Sequence, residues 1–97
     1  MWILQSSTPD TPPVTFRLSP GSIKTIGRST GAELIVDAAL VSRLHCRLEA
    51  HDETIEVIDL DSTNGISVNG ERVSRAHMIP GDRLTVGRVE LQVGRSA

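Results

Sequence analysis

Residues 61–70, DSTNGISVNG, contain two Asn-Gly pairs within ten positions. Asn and Gly adopt positive φ angles more readily than other residues, so each pair marks a sharp turn. The second pair, Asn69-Gly70, separates segments 66–68 and 71–73, a spacing typical of a two-residue hairpin with a type I′ turn. The first pair, Asn64-Gly65, follows the hydroxyl-bearing residues Ser62 and Thr63. The stretch therefore predicts a β-hairpin preceded by a polar, exposed loop.

The rest of the chain also has the pattern of short strands. Apolar and polar residues alternate with a period of two in segments 46–50, 54–57 and 89–93, which indicates half-buried strands. Turn signals recur throughout, and no window of ten residues has a helical stripe. We predict an all-β sandwich or barrel, with residues 6–13 as a loop and with strands near residues 2–4, 14–18, 22–26, 33–36, 44–50, 54–60, 67–68, 71–73, 84–86 and 89–93.

Composition limits the possible functions. The 97 residues are enough for one domain, predicted to span residues 1–97. A net charge of -2 gives no basic field toward nucleic acid or a membrane, and one Trp, one Phe and no Tyr give no stacking platform for bases. The first residues resemble neither a signal peptide nor a transmembrane helix. With a single cysteine, the sequence predicts a cytoplasmic protein, or a nuclear one in a eukaryote.

Three predicted loops carry residues suited to binding an anion: 26–29, 41–45 and 61–65. A phosphate monoester is bound best by guanidinium groups supported by hydroxyl and backbone N–H donors. Arg28, Arg43, Ser42 and Thr63 supply these groups. Composition does not show whether the loops meet.

The same loops carry the motifs of a known family. Gly27-Arg28, Ser42-x-x-His45, STNG at 62–65, VNG at 68–70 and PGDRLTVG at 80–87 occur in an order that resembles the forkhead-associated (FHA) domain. The resemblance covers residues 22–93. It implies an FHA-like β-sandwich of about eleven short strands with ligand loops at one end. It also implies binding of phosphothreonine peptides without catalysis and without a cofactor.

The resemblance assigns roles to individual loop residues. It implies that Arg28 and Ser42 bind the phosphate, with Thr63 beside them. It also implies that Asn64 hydrogen-bonds the peptide backbone just past the phosphothreonine. Arg43 adds a second cation that could reach the phosphate or the peptide backbone.

Other residues are expected to support the site rather than touch the ligand. The resemblance makes His45 a brace behind the loops and gives Gly27 a role in close chain approach. Gly65 and Asn69 are assigned to turns that hold the loops. The turn Gly87-Arg88 is short, and Arg88 as a reader of an acidic ligand side chain is an open hypothesis.

The expected function is phosphothreonine-peptide recognition in Ser/Thr kinase signalling, by a monomer whose partners are phosphorylated kinase substrates. One alternative is a phospho-independent interaction or dimerisation module that uses a sheet face or edge. In another, Thr8 or Thr11 becomes phosphorylated and occupies the site, within one chain or in a second copy.

Catalysis and metal binding are not predicted. Ser42 and His45 permit a nucleophile and a base, but the chain has no nucleophile elbow. His45 and Cys46 are adjacent and should point to opposite faces of a strand, and with His51 and His77 they fit no zinc spacing. Cys46 is predicted to be a small core residue.

Overall fold

A computed structural model of the chain describes residues 1–6, 8–9, 11 and 13–96. These residues form eleven strands and no helix, hence none long and apolar enough to cross a membrane. The strands are β1 (Trp2–Ser6), β2 (Thr15–Leu18), β3 (Ile23–Gly27), β4 (Leu34–Ile35), β5 (Cys46–Ala50), β6 (Ile55–Asp59), β7 (Ile66–Val68), β8 (Glu71–Val73), β9 (Arg75–Met78), β10 (Arg83–Val86) and β11 (Val89–Arg95).

The strands form two sheets. The six-stranded sheet has the order β2-β1-β11-β10-β7-β8, and the five-stranded sheet has the order β4-β3-β5-β6-β9. The pairing of β3 with β4 is parallel and the other pairings are antiparallel. The predicted all-β sandwich is confirmed.

The core lies between the sheets because burial follows the period-two alternation. In β5 Cys46, Leu48 and Ala50 are buried, and in β11 Val89, Leu91 and Val93 are buried. Inward residues of both sheets join in one hydrophobic cluster. Aliphatic side chains fill most of it, and burial of each contributes about 1.5–3 kcal/mol relative to exposure.

The Asn69-Gly70 turn has the predicted geometry. Its φ angles are 52° and 83°, which a type I′ turn requires, and β7 pairs directly with β8. The Asn69 side chain also donates from Nδ2 to Asp82 Oδ1 at 3.0 Å and accepts the Arg83 N–H at 2.9 Å. The hairpin is thereby fixed to the start of β10.

The two chain ends lie side by side at one end of the sandwich. Strand β1 lies between β2 and β11, and the Ser96 N–H donates to the Met1 carbonyl at 3.0 Å. The indole Nε1 of buried Trp2 donates to the His51 carbonyl at 2.8 Å. His51 follows the last residue of β5, so this hydrogen bond joins the two sheets there.

Three features of the strand prediction were wrong. Strand β9 was missed because Met78 is its only large apolar residue and the inward position at 76 is alanine. Strand β4 has two residues rather than four, since only Leu34 and Ile35 pair with β3. Ser6 belongs to β1 rather than to the following loop, of which residues 7, 10 and 12 lie outside the described part.

Cys46 makes the stability of the fold depend on pH in the alkaline range. Burial, and then the charge of its cross-strand partner Asp59, raise the pKa of the thiol well above its ordinary value. The unfolded chain loses this proton near about pH 8.5 whereas the folded chain keeps it. Stability is therefore full below that pH, and above it the free energy of unfolding should fall by about 1.4 kcal/mol per pH unit.

Urea unfolding from about pH 7 to about pH 10, compared with Cys46→Ala, measures this dependence. The chain has no Tyr, and Lys24 is its only lysine, so few other side chains titrate in this range. We expect a flatter pH profile in the variant. Equal slopes in the two proteins would contradict this account of Cys46.

Candidate functional site

Ser42 joins the three candidate loops at one end of the sandwich. Its carbonyl accepts the Arg28 N–H at 2.9 Å, which ties the loop after β3 to the loop before β5. Its Oγ accepts the Thr63 N–H at 3.1 Å, which brings in the loop after β6. The hydroxyl hydrogen of Ser42 is left to donate elsewhere.

His45 holds the same loops together from inside. Its side chain is fully buried, Nδ1 accepts the Ser42 N–H at 3.0 Å, and Nε2 lies 2.7 Å from the Gly65 carbonyl oxygen. A backbone N–H only donates and a carbonyl only accepts, so the ring must be the neutral tautomer with its hydrogen on Nε2. Both nitrogens are used within the protein.

Gly27 allows two of the loops to touch. A Cβ at this position would overlap the backbone carbonyl of Arg43. Across the same contact, the N–H and Oγ of Ser29 both lie 3.3 Å from the Arg43 oxygen. The φ angle of Gly27 is not positive, so the requirement for glycine is one of space.

The loop after β6 is built around one serine. Ser62 Oγ donates to Asp59 Oδ1 at 2.6 Å and accepts the Gly65 N–H at 2.9 Å. Positive φ angles at Asp61 (57°) and Gly65 (74°) close the loop. Thr63 and Asn64 are left exposed.

Leu40 also contacts the loop cluster, although its residue type does not predict this. Its carbonyl accepts Asn64 Nδ2 at 3.0 Å, and a Cβ at Gly87 would lie 2.8 Å from the same oxygen. Its φ angle is 71°, which is rare for leucine. Because that conformation arises from tertiary contacts, the residue type could not reveal it.

Two arginines on the surface of the five-stranded sheet are neutralised by carboxylates, whereas the arginines of the loop cluster are not, within the described residues. Arg47 and Arg75 are paired with glutamates at 2.9 Å. Arg28 and Arg43 are exposed and form no ion pair within the described residues. A third exposed arginine, Arg72 of β8, was not predicted: its guanidinium lies against Gly65, where a Cβ would overlap it.

The predicted residues are thus distributed over one loop cluster, with one exception. Arg28, Ser42, Arg43, Thr63 and Asn64 lie in the three joined loops, and the predicted supports Gly27, His45 and Gly65 make the contacts described above. Asn69 holds the hairpin on β10 and contacts none of these loops through its side chain.

A groove of about 570 Å³ lies beside the cluster. It is lined by Thr8, Pro9, Thr11, Asp37, Ala38, Ala39, Arg88 and Val89. Arg88 of its lining follows Gly87, which lies against the Leu40 carbonyl that Asn64 contacts. A ligand extending past Asn64 could therefore meet Arg88.

Comparison with known proteins agrees with this arrangement. The family model described as "FHA domain" matches residues 24–87, and the chain belongs to the FHA family. The chain is 36% identical over 78 residues to the ABC transporter ATP-binding/permease protein Rv1747 of Mycobacterium tuberculosis, covering 80% of this chain and 9% of that protein. It is 31% identical over 70 residues to the glycogen accumulation regulator GarA of the same species, covering 72% and 43%. The chain thus spans less than half the length of these relatives.

Solved structures show the same fold. The FHA domain of the CT664 protein from Chlamydia trachomatis superposes with a TM-score of 0.90 at 19% identity, over 99% of this chain and 98% of that one. The FhaA FHA domain, solved in complex with the intracellular domain of Rv3910, has a TM-score of 0.84 at 29% identity, over 96% and 99%. The predicted FHA-like sandwich is confirmed.

Gly27, the last residue of β3, and Gly31, in the loop that follows, provide a matched test of the close approach. Gly27→Ala should destabilise the protein by about 1–3 kcal/mol, because the methyl group and the Arg43 carbonyl cannot share the same space. In Gly31→Ala the added carbon would meet only Ser29 Oγ at 3.4 Å, so a change within about 0.5 kcal/mol is expected. Urea unfolding measures both. Equal effects would show that Gly27 is not needed for space.

Proposed function

We propose that this FHA domain recognises phosphothreonine peptides through the three joined loops and catalyses no reaction. The observation that carries the proposal is that two exposed arginines without an ion pair among the described residues, Arg28 and Arg43, lie in loops joined through Ser42. A net charge of -2 makes this local excess of positive charge notable. Such a surface suits a dianionic ligand group.

The contacts of Ser42 support a direct role in binding the phosphate. Its carbonyl and Oγ already accept hydrogen bonds from the backbones of Arg28 and Thr63. The position of the hydroxyl oxygen is therefore fixed before its hydrogen donates to a phosphate. Donors placed in advance lose little entropy on binding. Arg28 and Arg43 would supply charge-assisted hydrogen bonds to the same phosphate.

Asn64 is suited to fix the position of the peptide chain. Its Nδ2 is held by the Leu40 carbonyl, and its Oδ1 accepts no hydrogen bond from the described part of the chain, so it is available to a peptide N–H. The side chain is exposed at the loop tip beside Thr63. We infer that the peptide runs past Asn64 in an extended conformation, with Arg72 and Arg88 near its flanking residues.

The partners would be proteins phosphorylated by Ser/Thr kinases. One structural relative belongs to a structural and functional analysis of phosphothreonine-dependent FHA domain interactions. It superposes with a TM-score of 0.82 at 27% identity, over 99% of this chain and 97% of that one. A relative that is 33% identical over 67 residues is the oxoglutarate dehydrogenase inhibitor of Corynebacterium diphtheriae, 69% of this chain and 47% of that protein. By analogy, we propose that this domain recruits or regulates phosphorylated proteins in the cytoplasm.

Calorimetric titration with a degenerate phosphothreonine peptide library, and with matched threonine and phosphoserine libraries, tests the proposal. We expect binding that requires the phosphate and weakens as salt rises. Arg28→Ala should cost about 2–5 kcal/mol of binding free energy, because the phosphate would be desolvated without its principal partner. One buried methyl is worth only about 0.8 kcal/mol, so the preference for threonine over serine should be modest unless the ligand is preorganised.

Arg17→Ala is the matched control, since Arg17 is exposed on β2, outside the three joined loops. It should bind like the parent. Binding that ignores the phosphate and survives Arg28→Ala would favour the phospho-independent interaction module instead. Mass spectrometry of the peptide after incubation should find the phosphate still attached; its loss would indicate catalysis.

A further inference from the structure

A second group of polar side chains lies on the outer face of the five-stranded sheet. It consists of Glu49, His51, Glu56 and His77, here termed the His–Glu cluster. It lies where β5 ends and β6 begins, at the end of these strands opposite the three joined loops. None of its members belongs to the proposed peptide site.

Strand register brings these residues together although they are far apart in sequence. Glu56 of β6 pairs directly with Glu49 of β5 on one side and with His77 of β9 on the other. His51 follows Glu49 by two positions and so shares its face. Sequence spacing alone predicts no metal site here, because the residues come from three separate strands.

The donor atoms are spaced almost as a small metal ion requires. Ligand atoms of Glu49, His51 and Glu56 all lie within 4.8 Å of one another. His51 Nε2 is 3.8 Å from Glu56 Oε1, and His77 Nε2 is 3.6 Å from Glu56 Oε2. Two ligand atoms on a tetrahedral zinc ion are about 3.4 Å apart, given bonds of about 2.0–2.1 Å. Small side-chain movements would therefore bring these ligand atoms to the distances that zinc coordination requires.

Hydrogen bonds hold the carboxylates in orientations that leave oxygens available. Arg75 binds Glu56 Oε2 through Nε and a terminal nitrogen, both at 2.9 Å, and Arg47 binds Glu49 Oε2 in the same way. Glu56 is only 8% exposed, yet within the described residues its Oε1 accepts no hydrogen bond and faces His51. Metal-binding carboxylates are commonly oriented by such outer hydrogen bonds.

The ring of His77 is oriented by a hydrogen bond, and His51 is held through its backbone. Thr54 Oγ1 lies 3.2 Å from Nδ1 of His77, which directs the opposite nitrogen to Glu56. The backbone of His51 is held by Trp2 and by its N–H bond to the Thr54 carbonyl at 2.8 Å. The ring centroids of His51 and His77 are 6.1 Å apart, against about 5 Å for two imidazoles on one zinc ion.

We propose that the His–Glu cluster binds one zinc-type divalent transition-metal ion. Glu49, His51 and Glu56 form the starting ligand set, and His77 joins by a small rotation. Imidazole ligands favour zinc, copper or nickel over calcium and magnesium, which prefer oxygen. The ion would connect the edge strand β9 to β6 and β5.

Calorimetric titration of the untagged 97-residue chain with zinc sulfate tests the proposal, with calcium chloride as the control. We expect saturable binding of one zinc ion per chain, no saturable calcium binding, and a rise in melting temperature with zinc. His51→Gln should abolish the binding. Thr54→Val removes only the hydroxyl beside His77 and should weaken zinc about 10–100-fold.

The remaining histidine and the cysteine are unsuited to bind the added zinc, because both nitrogens of His45 are hydrogen-bonded and Cys46 is buried. Arg28→Ala should bind zinc like the parent, and His51→Gln should bind phosphopeptide like the parent, so this proposal and the proposed function can fail separately. The proposal would be overturned if the parent showed no saturable zinc binding, or if neither His51→Gln nor Thr54→Val changed that binding. The His–Glu cluster would then be an ion-pair network without a metal.

Discussion

The imidazole of His45 is the contact on which the arrangement of the loops depends. It links the backbone N–H of Ser42 to the carbonyl of Gly65. Ser42 precedes β5 in the chain and Gly65 follows β6. The Gly65 carbonyl would otherwise be buried without a partner, at a cost of about 1–3 kcal/mol, and the half-buried Ser42 N–H would lose its acceptor. One neutral side chain therefore fixes the segment before β5 relative to the segment after β6.

The positive charges of Arg28, Arg43 and Arg72 are not neutralised by carboxylates of the described residues. Arg47 and Arg75 are paired with glutamates on the sheet surface, whereas Arg28, Arg43 and Arg72 have no carboxylate partner among the described residues. The average charge of the chain therefore says little about its binding surface. What matters is where the fold places the arginines that it leaves unpaired.

The sequence was most informative where a residue type has few alternative uses. Asn69-Gly70 predicted a type I′ hairpin because few other residues tolerate its φ angles. The strand alternation predicted the sandwich, and the motif order identified the loops. Leu40 and Arg72 could not be found this way, since a leucine at positive φ and an arginine packed on Gly65 depend on contacts with distant segments.

The prediction missed β9 for a related reason. With alanine at an inward position, the strand carries little apolar signal and is stabilised by pairing with β6 instead. His77 therefore had no predicted neighbour, and its proximity to Glu56 became visible only with the register. Cross-strand neighbours in a sheet of this kind are a property of pairing that spacing along the chain does not encode.

The position of the chain ends has a consequence for how such a domain can be combined with others. Met1 and Ser96 are joined by a backbone hydrogen bond, and Trp2 anchors that region to His51 at the end of β5 opposite His45. A polypeptide attached to either end would leave from the side facing away from Arg28 and Ser42. Insertion of the domain into a longer protein would therefore place its two connections close together and leave the three joined loops unobstructed.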